Sequence, residues 1–257
     1  EYASDTPRFC QPSVLFDRRC MKSLTRTMGS FWNSSIGKKI LVALTGIALL
    51  LFLPAHLAGN LLVFVGPDAL NEYGVWLHEL GHGTAIWFAR LGLLSAFIIH
   101  LVLTVQLTAA NRAARSEYAY PSTVQASRSS RSMMWSGLTI LAFVIYHLLH
   151  FTLRVGNEYD GESYQTTLPG HQEEVHNVYK MMIDGFSWTP ASIFYLIAVT
   201  LLCSHLSHGF ASVFQTLGVR SSKTSALSGK LGWAYAIIIW LGFVSIPIAI
   251  WIFGYGS

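Results

Sequence analysis

Four histidines stand in stretches otherwise too apolar to hold them: His56 in LPAHLAGN, His100 in AFIIHLVL, His147 in VIYHLLHF and His205 in LLCSHLSHG. An ionisable ring at membrane depth needs a partner for its nitrogens, and is by default a functional hypothesis. The chemistry open to it is ligation of iron, proton transfer or a hydrogen bond between helices. A fifth stretch, GVWLHELGH at 74–82, fits the HExxH pattern of zinc peptidases. On a continuous helix that spacing puts His78 and His82 on one face, with Glu79 placed to activate a metal-bound water.

The elements that carry these residues follow from composition. Of 257 residues, 52% are hydrophobic and 12% charged, and the mean hydropathy is +0.44, which points to a membrane protein. A net charge of +4 with no dense Lys/Arg stripe excludes a nucleic-acid surface. Cys10, Cys20 and Cys203 form no CxxC pair and imply no disulfide framework; Cys203 packs as a small hydrophobe within an apolar stretch.

Runs long enough to cross about 30 Å of hydrocarbon, roughly 20 residues each, occur near 40–65, 84–110, 133–153, 190–217 and 231–253. Such runs must be helices, because unpaired backbone groups are too costly in lipid. The fifth has no histidine, carries Pro247 as an expected kink and is expected to flank the others. The fold class predicted is an all-α membrane protein of five transmembrane helices, the first four forming an antiparallel bundle. Residues 31–257 form one transmembrane domain, and residues 1–30 a polar N-terminal extension; residues before Met21 read equally as an extension, a processed leader or an upstream start.

Charge sets the orientation. Lys22, Arg26, Lys38 and Lys39 precede the first span; Arg112, Arg115, Arg128 and Arg131 separate the second and third; Arg220, Lys223 and Lys230 separate the fourth and fifth. The intervening connections are poor in Lys and Arg, which places the N-terminus and the extension in the cytoplasm and the C-terminus outside. The long outer connection is expected to carry a short surface helix over His171–Met182, with His171 and His176, five residues apart, solvated and off a shared helical face. HELGH reads there as the turn before the second span, with Gly81 and Gly83 breaking the chain and Thr84 capping the helix.

Each of the four apolar-span histidines lies about 24 Å along its helix from the point of entry. Neighbouring spans run in opposite directions, so His56 and His147 share the outer half, and His100 and His205 the inner half. Two level pairs of facing imidazoles in a four-helix bundle suit bis-histidine ligation of two b-type haems, one above the other. Small residues beside them, namely Ala55, Ala58, Gly59, Ser95, Ala96, Gly209 and Ala211, are expected to let a macrocycle approach. No CxxCH occurs, which excludes covalent attachment of the c type. His150 and His208 follow His147 and His205 by three residues and can exchange roles with them; the more central member of each pair matches its partner's depth, leaving His150 and His208 as hydrogen-bond or propionate partners.

With these motifs assembled, the chain from about Ser30 onward resembles the di-haem cytochrome b subunit that anchors bacterial succinate dehydrogenases and quinol:fumarate reductases. The resemblance rests on LTGIALLLFLPAHLAGNLL, IIHLVLTVQLTAANRAAR, YHLLHF and HLSHGFASVFQTLG. It implies two haem b, with His56 and His147 as axial ligands of the haem distant from the catalytic subunits and His100 and His205 as those of the nearer one. It further implies partner subunits, a flavoprotein with covalent FAD and an iron-sulfur protein on the cytoplasmic face of a bacterial inner membrane. Electrons would pass between succinate and quinone, typically menaquinone near the outer haem, and Tyr73, Trp76, His78 and Glu79 are the candidate quinone neighbours. Some members carry a glutamate two residues before the span-four ligand as part of a proton path; Cys203 stands there in this chain. The chain has no flavin or iron-sulfur motif of its own, so it cannot oxidise succinate alone.

Three rival readings are a cytochrome b subunit of another membrane oxidoreductase such as a hydrogenase or formate dehydrogenase, a transporter using histidines for proton coupling, and an intramembrane zinc protease. The protease would use His78, Glu79 and His82, with Asp184 in MIDGF as third ligand. It leaves the four apolar-span histidines unexplained.

Overall fold

The computed structural model of the chain describes residues 32, 34–114, 128–219 and 221–256, without the side chains of 128–132, 222 and 223. The expected N-terminal extension, with Cys10, Cys20, Lys22 and Arg26, lies outside the described residues, as do Arg115 and Arg220 and the side chains of Arg128, Arg131 and Lys223.

Five helices are long and apolar enough to cross a membrane: α1 (Ser35–Leu61), α3 (Thr84–Ala113), α4 (Arg128–His147), α6 (Thr189–Thr216) and α7 (Ser222–Trp251). Large apolar side chains such as Leu51, Phe88, Ile98, Leu138 and Ile238 stand exposed on them, which suits a lipid-facing surface and would be untenable in water. Helix α1 is continued by a 3-10 turn (Leu62–Phe64), and α4 by a single π-helical turn (Leu148–Thr152).

Local chemistry sets the ends. Ser34 Oγ accepts from Gly37 N at 2.9 Å and opens α1, and Ser221 and Thr224 form a reciprocal capping box on α7. That box starts α7 well before the expected boundary near Leu231, and the helix runs on through Pro247. The cap of α3 differs from expectation. Gly83, at φ +80°, is the capping residue, while the Thr84 hydroxyl donates back to the Gly81 carbonyl at 2.7 Å.

Two short helices lie in the outer connections. Residues 67–79 form α2 (Pro67–Glu79), with Pro67 at its start and Asp68 in its first turn; the turn expected at HELGH begins only after Glu79. The surface helix expected over His171–Met182 is displaced: α5 runs Val178–Ser187, because Asn177 caps it by accepting from Lys180 N at 2.9 Å. The residues just before belong instead to a small antiparallel ribbon of β1 (Gln165–Thr166) and β2 (Val175–His176). Asn71 of α2 is buried and joins the two helices, donating to Asn177 Oδ1 at 3.2 Å and accepting from Tyr179 N at 2.9 Å.

Helix α6 packs along α7, α1 along α3, α4 along α6, and α1 also against α6. Glycines permit the closest approaches: a Cβ on Gly232 would come 2.8 Å from the Ser207 carbonyl, and one on Gly242 2.5 Å from Leu57. An apolar cluster including Val63, Leu70, Met182, Ile183, Phe186, Tyr195, Ile246 and Ile250 locks α2 and α5 over the ends of the long helices.

Candidate functional site

His56 on α1 and His147 on α4 come together, with ring centroids 5.8 Å apart and planes at 83°. Phe52 stacks on His56 at 5.0 Å and Phe143 on His147 at 5.8 Å, so aromatic side chains one helical turn away hold both rings. His100 on α3 and His205 on α6 are within electrostatic reach of each other. Neither α1 with α4 nor α3 with α6 packs closely backbone to backbone. Both pairs therefore bridge helices held apart by their neighbours. All four histidines sit deep among the helices while keeping some accessible surface.

The hydrogen bonds at Nδ1 determine which nitrogen is available. His100 Nδ1 lies 3.2 Å from the Val42 carbonyl and 3.2 Å from Thr45 Oγ1. A carbonyl only accepts, so Nδ1 carries the proton and Nε2 keeps its lone pair. Ser136 Oγ donates to the Met133 carbonyl at 3.0 Å, which leaves its oxygen to accept from His205 Nδ1 at 3.2 Å and again frees Nε2. His147 Nδ1 lies 3.1 Å from Tyr195 Oη. An Nδ1–H held by an outer oxygen, with Nε2 open, is the form a histidine takes when it ligates a metal. This donor set fits bis-histidine haem ligation.

The neighbouring histidines differ. His150, in the π-helical turn, is buried and has oxygens near both nitrogens: Tyr195 Oη at 3.4 Å from Nδ1 and Tyr159 Oη at 3.5 Å from Nε2. Of the small residues expected beside the rings, Gly59 is covered by Tyr73, whose ring would lie 2.4 Å from an added Cβ, and Gly209 faces open space. The glycines that meet the rings are two that sequence reasoning missed. An added Cβ would lie 3.4 Å from His100 Cε1 at Gly46, and 3.8 Å from His205 Cε1 at Gly137.

The candidate quinone neighbours gather on α2, beyond His56. Tyr73 and Trp76 stack at 5.8 Å, and Trp76, His78 and Glu79 are exposed. Tyr73 reaches α1 through Gly59, one helical turn past His56. His176, expected to be solvated, is half-buried beside Met181, with its Nδ1 buried and without a hydrogen-bond partner among the described residues. The sequence offered little signal for this, because the ribbon that folds His176 inward pairs only two residues on each strand.

Burial, then the Arg154 charge, lowers the pKa of His176 from its ordinary 6.5 to about 4. Between those values the open loop binds more protons than the closed one. The closed form is therefore fully favoured above pH 6.5 and loses that advantage as pH falls toward 4. Amide exchange of residues 164–178, corrected for intrinsic rates, is expected to quicken between pH 7 and pH 5. His176→Gln should flatten that dependence.

The HExxH geometry is not formed. His78 lies within α2, whereas His82 follows its end in left-handed backbone at φ +54°, so the two do not share a helical face. Asp184, the third ligand the zinc reading needs, accepts from Tyr164 Oη at 2.9 Å and pairs with Lys180. Among the described residues no three His, Cys, Asp or Glu side chains converge as a metal site. In comparisons with known proteins, no protein family, curated protein or solved structure matches the chain.

Proposed function

We propose that this chain is the membrane-anchoring di-haem cytochrome b subunit of a bacterial succinate:quinone oxidoreductase, with α1, α3, α4 and α6 as an antiparallel haem bundle. The observation that carries the reading is the pairing of four histidines across helices that do not pack closely, two of them, His100 and His205, with Nδ1–H secured and Nε2 open, and a third, His147, with Nδ1 against Tyr195 Oη. His56 and His147 would hold one haem b, His100 and His205 the other. A bound b-type haem would supply a reversible one-electron couple. The residues of this chain orient the ligands and keep the pair dry: Phe52, Phe143 and Phe243 pack the outer rings, and Val42, Thr45 and Ser136 hold the inner ones.

In this reading the N-terminus faces the cytoplasm, where the flavoprotein and iron-sulfur subunits dock. The C-terminus, α2 and α5 face outward. Quinone, taken as menaquinone, meets the outer haem from the side of Tyr73, Trp76, His78 and Glu79. The resemblance of the four histidine motifs to the succinate dehydrogenase and fumarate reductase anchors supports the choice of substrate; the positive-inside charge pattern supports the orientation.

The test is purification of the native complex through a tag on this chain. A covalently flavinylated subunit, an iron-sulfur subunit and reduction of the haem bands by succinate are expected. Bands that stay oxidised with succinate and are reduced by hydrogen or formate would assign the chain to another oxidoreductase.

A further inference from the structure

The motif HLLHF offers two histidines one helical turn apart, and only one can complete the outer pair with His56. Three observations separate them. A π-helical turn begins immediately after His147 and takes in His150, which rotates His150 off the face that an uninterrupted α-helix would give both rings. His150 is then held by Asn157, which donates to its backbone carbonyl at 3.1 Å. Finally, one hydroxyl serves both imidazoles: Tyr195 Oη lies 3.1 Å from His147 Nδ1 and 3.4 Å from His150 Nδ1.

A phenol carries a single proton, so it can donate to only one of these nitrogens while its oxygen accepts from the other. When the hydroxyl bridges them as donor to one and acceptor from the other, the two histidines take opposite tautomers. When His147 offers its Nε2 lone pair to a metal, its Nδ1–H donates to Tyr195 Oη. The Tyr195 hydroxyl then points at His150 Nδ1, and His150 Nε2–H faces Tyr159 Oη at 3.5 Å. Each proton in the chain His147–Tyr195–His150–Tyr159 is thereby fixed, and His150 is left without a free lone pair.

We propose, resting on the haem reading above, that Tyr195 is the positioning residue that selects His147 over His150 as the outer iron ligand and tunes the electron donation of that ligand alone. The hydroxyl accepts from the Nδ1–H of His147, which makes the imidazole a stronger donor; His100 and His205 receive the equivalent support from Val42 and Ser136.

The test uses the full chain in its purified native complex, comparing wild type with Tyr195→Phe, His147→Ala and His150→Gln. Haem b content, low-spin bis-histidine signals in near-infrared magnetic circular dichroism, and potentiometric titration are measured. His147→Ala is expected to lose about half the haem, and His150→Gln to keep all of it with unchanged ligation signals. Tyr195→Phe should keep both haems while shifting the oxidised-to-reduced ratio of one, at fixed potential, severalfold toward the reduced form. A tenfold change would be a rise of about 59 mV. Loss of haem from His150→Gln but not His147→Ala, or two unchanged potentials in Tyr195→Phe, would overturn the inference. A wild-type complex without haem b would overturn the haem reading and this inference with it, and so marks a different failure.

Discussion

Replacing His100 or His205 with alanine is expected to halve the haem b content and leave one low-spin haem in place. The two inner ligands are secured by groups that the outer pair does not touch: Val42 and Thr45 for His100, Ser136 for His205. The outer pair has its own aromatic surround of Phe52, Phe143, Tyr195 and Phe243. Losing either axial ligand disrupts the inner site, and His100 has no second histidine on α3 to take its place, whereas the other site keeps both of its own. The measurement is haem per chain by pyridine haemochrome, with low-temperature spectra to identify the band that disappears. Equal loss of both haems from a single inner substitution would mean that the two pairs are not independent sites.

A graded result is expected at Gly46. A methyl group added there would sit 3.4 Å from His100 Cε1, at the near edge of ordinary contact, so Gly46→Ala should keep both haems. Gly46→Leu adds three further carbons on the side of the ring, and in a packed interior that either displaces His100 or occupies the space a macrocycle needs; overpacking of this kind costs about 1–3 kcal/mol. The expected outcome is loss of about one haem, with helix content unchanged by circular dichroism. Gly209→Ala serves as the control, because an added Cβ there meets nothing within 4 Å. Retention of both haems with native spectra in Gly46→Leu would show that the Gly46 side of His100 is not part of a cofactor site.

The spans were legible because hydrocarbon imposes a strong compositional rule, and the histidines because few residues violate that rule without a reason. The start of α3 at Thr84 was readable from the two glycines before it. What sequence reasoning missed was set by contacts rather than composition. Helix α2 carried a usable signal in Gly66-Pro67-Asp68, a proline at the first helical position followed by an acid, but only its HELGH end was read, as a turn. Helix α5 was recognised but misplaced: its N-cap is Asn177, which accepts from Lys180 N and is also held by Asn71 of α2.

The pairing of the histidines was legible; the atoms that orient them were not. Tyr195 reads in sequence as one aromatic among many in an apolar span, and its meaning comes from standing between two imidazoles of another helix. Gly46 and Gly137 are distant in sequence from the rings they face, so the search for small residues beside each histidine could not find them. In HELGH the pattern was real, but its first half belongs to a helix and its second half to the turn that ends it.

Haem stoichiometry decides whether the four histidines hold two b-type haems. The most direct measurement is a pyridine haemochrome assay combined with zinc analysis on the purified, detergent-solubilised chain or its complex. Two haem b per chain without stoichiometric zinc is the predicted result; one zinc and no haem would contradict it and return HELGH to the centre of the account.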